Sequence, residues 1–144
     1  MQGEANSIVL GKRPLSSMSP TIVTKGGKPV MVVGTPGGSR IITSVLLTMI
    51  NAIDYNMNAQ EAVDMPRFHQ QWLPDLTNLE DYALSPDTRK ILEGMGHKFG
   101  PPHPANHLAV IIVGAPSLGG KPVGNNRFYG ANDPRRGSGL AAGY

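Results

Sequence analysis

Pro14-Leu15-Ser16-Ser17-Met18-Ser19-Pro20, Thr21-Ile22-Val23-Thr24 and then, beyond Gly26-Gly27 and the run Pro29 to Val33, Gly34-Thr35-Pro36-Gly37-Gly38-Ser39-Arg40: this stretch decides the fold. Thr21 to Thr24 is a β-branched run, Gly26-Gly27 a turn, and Pro29 to Val33 a second apolar run, which together predict a β-hairpin. The second strand stops near a glycine pair and turns straight into a helix. Glycines at a helix start leave backbone N–H groups unshielded by any Cβ, and the helix dipole makes that point positive. Serine hydroxyls before the hairpin and amides after it could therefore converge on one anion or oxyanion.

Outward from this stretch, a helix is expected over Ser39 to Tyr55. Ile42, Val45, Leu46, Met49, Ile50 and Ile53 recur at helical spacing, and Ile41 and Leu47 widen the stripe. A stripe that wide predicts burial on more than one side, as in a layered sandwich. Asn58 followed by Glu61 reads as the capping box of a short helix ending at Pro66. Phe68 to Trp72 and Thr77 to Tyr82 are expected as edge strands. Ser85-Pro86 opens another helix, closed by Gly94 or Gly96. Leu108 to Val113 is expected as a buried strand, Arg127 to Gly130 as a weaker one, and Asp133-Pro134 as a turn. Hairpins mixed with helices predict an α+β fold with antiparallel sheet covered by helices, rather than a doubly wound parallel sheet.

The 144 residues suit a single domain, 1–144, large enough to bury a core. The net charge of +3 comes from scattered bases, whereas nucleic-acid binding calls for a basic stripe interleaved with aromatics, which are only 6% here. No nucleic-acid partner is expected. The absence of cysteine excludes disulfides, thiol catalysis and Cys-ligated zinc. The apolar stretch Ile41 to Ile53 is too short and interrupted to span a bilayer, and Met1-Gln2-Gly3-Glu4-Ala5-Asn6 has neither a basic n-region nor an apolar h-region. Neither a membrane partner nor a signal peptide is expected from residues 1–144.

Several side chains are candidates for chemistry. Ser16 and Ser17 read either as turn residues bonding nearby backbone or as neutral donors to a charged ligand. Neither sits in a Gly-x-Ser-x-Gly elbow. Gly37 and Gly38 read either as a tight strand-to-helix turn or as N–H donors to a reacting carbonyl. The Walker and dinucleotide glycine patterns are both missing. Arg40, a cation in a first helical turn, opposes the dipole and is expected in a structural ion pair. His103 and His107 are four apart, but Pro104 breaks the helix that would pair them, so neither metal nor cofactor is expected.

The Pro-Leu-Ser-Ser-Met segment at 14–18 and the Pro-Gly-Gly-Ser-Arg segment at 36–40, in this order, resemble the small subunit of the gamma-glutamyltranspeptidases. The likeness runs from Gly11 to Tyr144. Phe68-His69-Gln70-Gln71-Trp72 and Asp133-Pro134-Arg135 resemble further family segments, read as packing beside the sheet and as a fold-closing turn. The resemblance implies part of an N-terminal-nucleophile hydrolase, a four-layer αββα sandwich with antiparallel sheets. It makes this chain the C-terminal part of the small subunit. It implies that Ser16 and Ser17 bind the alpha-carboxylate of a gamma-glutamyl substrate, and that the Gly37 and Gly38 N–H groups form the oxyanion hole. The implied reaction cleaves gamma-glutamyl amides such as glutathione and passes the gamma-glutamyl group to water, amino acids or peptides.

In the family the nucleophile is the N-terminal threonine of the small subunit, activated by its own amino group. Met1-Gln2-Gly3 does not match it, and Thr21, Thr24 and Thr35 are internal. The resemblance therefore implies that the nucleophile and a large-subunit arginine lie outside residues 1–144. Expected partners are the gamma-glutamyl substrate, the large subunit or missing upstream segment, and a second copy of the chain. The alternative is a non-catalytic orphan fragment that binds a partner or a small carboxylate. A full-length family member would be periplasmic or extracellular.

Overall fold

Gly26 and Gly27 adopt φ of 58° and 76°, the left-handed pair that lets a two-residue turn follow the twist of its strands. The computed structural model, which describes residues 3–102, 106–114, 128–135 and 139–142, accordingly opens on a hairpin. Strand β1 (Thr21–Lys25) pairs antiparallel with β2 (Lys28–Gly34), Thr21 facing Val33, and a bulge falls between Val23 and Thr24. Strand β5 (Ala109–Val113) adds to the other edge of β2, and β6 (Phe128–Asn132) adds to β5. The sheet order is β1-β2-β5-β6 and every pair is antiparallel. Arg127, expected at the start of the last strand, lies outside the described residues.

Two helices cover one face of this sheet. Helix α1 (Arg40–Ile53) buries Ile41, Ser44, Val45, Thr48 and Ala52, one face at helical spacing. Helix α2 (Ala59–Asp64) buries Ala59, Ala62 and Val63, and the predicted capping box is present, with Asn58 accepting from the Glu61 N–H and Glu61 accepting from the Asn58 N–H. These residues meet Met31, Val33, Val110 and Ala131 from the sheet to make the core. Ser85 caps α3 (Pro86–Gly94) through the Thr88 N–H, with Pro86 in the first turn, as the sequence predicts. This helix buries none of its residues.

Three expectations change. The wide stripe of α1 is buried on one side only: Ile42 and Leu46 are about half exposed, because within the described residues the sheet lies on a single side of the helix. Strand β5 is buried on one face, with Val110 inside and Ala109 and Ile111 outside, so it is not enclosed on both. Phe68 to Trp72 and Thr77 to Tyr82 form edge strands over only two residues each, and not in the main sheet. They contribute only β3 (Phe68–His69) and β4 (Asn78–Leu79), paired with each other in a separate ribbon. Trp72 and Tyr82 take positive φ, 72° and 65°, which ends extended structure at both sites.

The sheet's outer face carries Ile22, Val32, Ile111 and Phe128, all exposed and apolar. No described helix in this chain is long and apolar enough to cross a membrane.

Candidate functional site

The strand-to-helix turn has the conformation that its glycines predict. Gly37 and Gly38 take φ of 141° and 61°, a region that disfavours side chains. Their carbonyls are used locally, accepting from the Arg40 N–H at 3.3 Å and the Ile41 N–H at 3.1 Å. Their own N–H groups donate to nothing among the described residues and sit on the exposed surface. Ser39 makes no cap with its hydroxyl, so the positive end of α1 is not closed by a side chain. Such a turn can donate two hydrogen bonds to an incoming oxyanion.

Gly37 has a second constraint. The side chain of Asn106 lies directly over it, in the space a Cβ would take. Asn106 is buried and held twice: its Nδ2 donates to Ser44 Oγ on α1 at 3.1 Å, and its carbonyl accepts from Arg67 at 3.1 Å.

Ser16 and Ser17 precede β1. The β1–β2 ladder ends where Thr21 faces Val33, so Ser16-Ser17 enter and Gly37-Gly38 leave the hairpin on the same side. The hairpin thus brings the two segments to the same end of the sheet. The Ser16 hydroxyl is exposed and accepts from the Met18 N–H at 3.2 Å, a local turn bond. An apolar hollow of about 760 Å³ on the sheet's outer face is lined by Ile22, Val32, Ile111 and Ala141 among others. It contains none of the four site residues.

Arg40 corrects its expectation. It forms no ion pair among the described residues, and its Nε is buried without a partner. The carboxylates go elsewhere. Asp133, fully buried, pairs with Arg67 at 2.8 Å and Arg135 at 3.2 Å, and Glu80 pairs with the same two arginines at 3.1 and 3.0 Å. Arg135 also donates to the carbonyls of Val63, Asp64 and Met65, closing the C-terminal end of α2. Burial pushes the Asp133 carboxyl up. The Arg135 N–H, the Arg67 guanidinium and the Leu108 N–H together outweigh it and hold the group below its ordinary value. The fold-closing turn read in Asp133-Pro134-Arg135 is thus an ionic one, and Arg67 and Glu80 are members that sequence reading missed.

The Phe68 to Trp72 segment meets the start of α1 through His69 and Gln71, the latter accepting from Ser39 Oγ. His69 is buried, with Nδ1 2.7 Å from Thr43 Oγ1 and Nε2 3.0 Å from Gln71 Oε1, while Phe68 and Trp72 stay exposed. His107 Nε2 lies 2.8 Å from Asn132 Oδ1, and His103 lies outside the described residues. Among the described residues no three His, Asp or Glu side chains cluster as metal ligands.

An antiparallel sheet with helices on one face, its second strand running through a glycine turn into α1, is the α+β arrangement of the N-terminal-nucleophile hydrolases. A Helicobacter pylori gamma-glutamyltranspeptidase variant superposes with a TM-score of 0.79 at 48% identity, over 94% of this chain and 69% of that one. The family profile described as Gamma-glutamyltranspeptidase matches residues 1–143. The chain belongs to the gamma-glutamyltranspeptidase family. It is 76% identical to the glutathione hydrolase proenzyme of a Pseudomonas species over all 144 residues, and 49% identical to that of Escherichia coli over 142. It spans about a quarter of the length of these relatives, 25% and 23%.

Proposed function

We propose that residues 1–144 are one domain, the C-terminal portion of a gamma-glutamyltranspeptidase small subunit, and supply binding and oxyanion groups for cleaving gamma-glutamyl amides such as glutathione. The observation that supports this reading is the hairpin register, which brings the segment before β1 and the glycine turn after β2 to the same end of the sheet, with the turn's N–H groups free of described partners. In this reading the Ser16 and Ser17 hydroxyls donate to the alpha-carboxylate of the substrate. A hydroxyl nucleophile from outside residues 1–144 adds to the gamma-carbonyl carbon, and the carbonyl π pair moves onto oxygen. Gly37 and Gly38 donate to that O⁻, each such donor lowering the barrier by about 3 kcal/mol. Collapse breaks the C–N bond, and the leaving amine takes a proton. Water or an amino acid then attacks the acyl intermediate and receives the gamma-glutamyl group.

The partners follow from the same reading: the substrate, the large subunit or upstream segment, and self-association where those are lacking. The test is a chimera in which residues 1–144 replace the matched region of the Pseudomonas relative. Turnover of a gamma-glutamyl anilide, lost on Gly37→Pro and weakened through KM by Ser16→Ala with Ser17→Ala, is the expected result. A folded but inactive chimera would overturn it and leave a non-catalytic fragment that binds a partner or a carboxylate.

A further inference from the structure

Ser39 and Thr43 lie one turn apart on the same face at the start of α1, and both hydroxyls engage a single short loop. Ser39 Oγ donates to Gln71 Oε1 at 2.6 Å rather than capping its own helix. The Gln71 amide is oriented by its other end, where Nε2 donates to the Leu73 carbonyl at 3.1 Å. Its Oε1 is therefore an acceptor, and the His69 nitrogen 3.0 Å away must be an N–H donor. With the proton on Nε2, the other ring nitrogen, Nδ1, lies 2.7 Å from the Thr43 hydroxyl, which also reaches the Arg40 carbonyl at 3.2 Å. Four side chains thus form one continuous chain, Ser39–Gln71–His69–Thr43, with buried His69 as its centre.

We propose that His69 and Gln71 are positioning residues that fix the first turn of α1, and with it the direction of the Gly37 and Gly38 N–H groups. The inference rests on the oxyanion reading of those glycines. Ser39 follows Gly38, so a shift of the Ser39 backbone moves the Gly38 Cα, which is one end of the Gly37–Gly38 peptide plane that carries the Gly38 N–H. A donor must sit within hydrogen-bond range of the oxyanion, and small misplacement at the reacting centre lowers kcat with little effect on binding elsewhere. Gln71 is exposed, so its loss removes a hydrogen bond without opening the core.

The experiment uses the chimera described above, with fold checked by thermal unfolding. Gln71→Leu removes the links to Ser39 and His69, and Thr43→Val removes the link to His69, each at nearly constant volume. Each is expected to lower kcat about tenfold, with KM within about twofold, and the double variant to lose little more than either single one. Gln71→Glu keeps the acceptor, and Thr43→Ser keeps the hydroxyl; both are expected to restore most of kcat. Should Thr43→Val fail to fold, Gln71→Leu against Gln71→Glu carries the test. Unchanged kcat in Gln71→Leu, or a loss seen only in unfolding temperature, overturns the positioning role while an active parent chimera leaves the oxyanion reading standing. An inactive parent chimera overturns both.

Discussion

Gly37 and the side-chain amide of Asn106 occupy adjoining space with no room for a methyl group between them. Sixty-nine positions separate the two in sequence, yet Asn106 determines what residue 37 can be. The glycine is required twice, once by a φ of 141° and once by this neighbour.

Gly37→Ala should therefore destabilise the chain by about 1–3 kcal/mol from crowding, with a further cost from backbone strain. Adding Asn106→Gly should relieve the crowding but not the strain. Urea unfolding followed through Trp72, the single tryptophan, measures both. Equal stability of Gly37→Ala and the parent would contradict the packing described.

Asp133→Asn breaks a buried ion pair and should cost about 3 kcal/mol, because buried Arg67 keeps its charge with Glu80 as its remaining carboxylate partner. The same group sets an acid limit. Its folded pKa lies below the ordinary carboxylate value, so its contribution is fully present above the unfolded pKa and is lost as pH falls through the folded one. Urea midpoints should fall on acidification below about pH 4 in the parent. That acid limb should shrink in Asp133→Asn.

Removing a cap should cost stability only where a cap exists. Asn58→Ala loses the side-chain half of a capping box, the bond from the Glu61 N–H, and should lower stability by about 1 kcal/mol. Ser39→Ala should show no capping loss, since Ser39 makes no cap, although it breaks the bond to Gln71. Thermal unfolding by circular dichroism compares the two.

Residues 1–144 expressed alone should show no gamma-glutamyl transfer, because the proposed nucleophile lies elsewhere. They should also self-associate through the bare sheet face or its edge strands, β1 and β6. Sedimentation at rising concentration should show species above a monomer, reduced by Ile111→Lys on the outer face. A mass-verified sample whose turnover disappears on Gly37→Pro would refute the first expectation, and a compact monomer at high concentration would refute the second.

What sequence reading recovered was local chemistry. Gly26-Gly27 encodes its hairpin, Asn58 with Glu61 its helix start, and Ser85-Pro86 another, because each signal acts within a few residues. What it missed depends on distant partners. Nothing near Arg67 announces Asp133, and nothing near Gly37 announces Asn106. The stripe of α1 shows that Ile42 and Leu46 are apolar but not which neighbours the described chain supplies. The length and place of the β3–β4 ribbon were missed because apolar runs do not reveal their pairing. Of the site, the glycine turn was legible in the residues. The chain through His69 was not, since it joins two elements by side chains alone.

The ionic closure at Asp133 and Arg135 also imposes an order on synthesis. Arg67 leaves the ribosome 66 residues before Asp133, the carboxylate that neutralises it in the core. The C-terminal end of α2 likewise waits for Arg135, more than seventy residues later. Until Asp133 and Arg135 emerge, a nascent chain holds Arg67 with Glu80 but without its fully buried carboxylate, and a helix end with open carbonyls. The hairpin and α1 can gather early, but the module cannot lock from its N-terminal side. Asp133 and Arg135 act as the latch, and a ribosome stalled before them would present an unfinished core to chaperones and proteases.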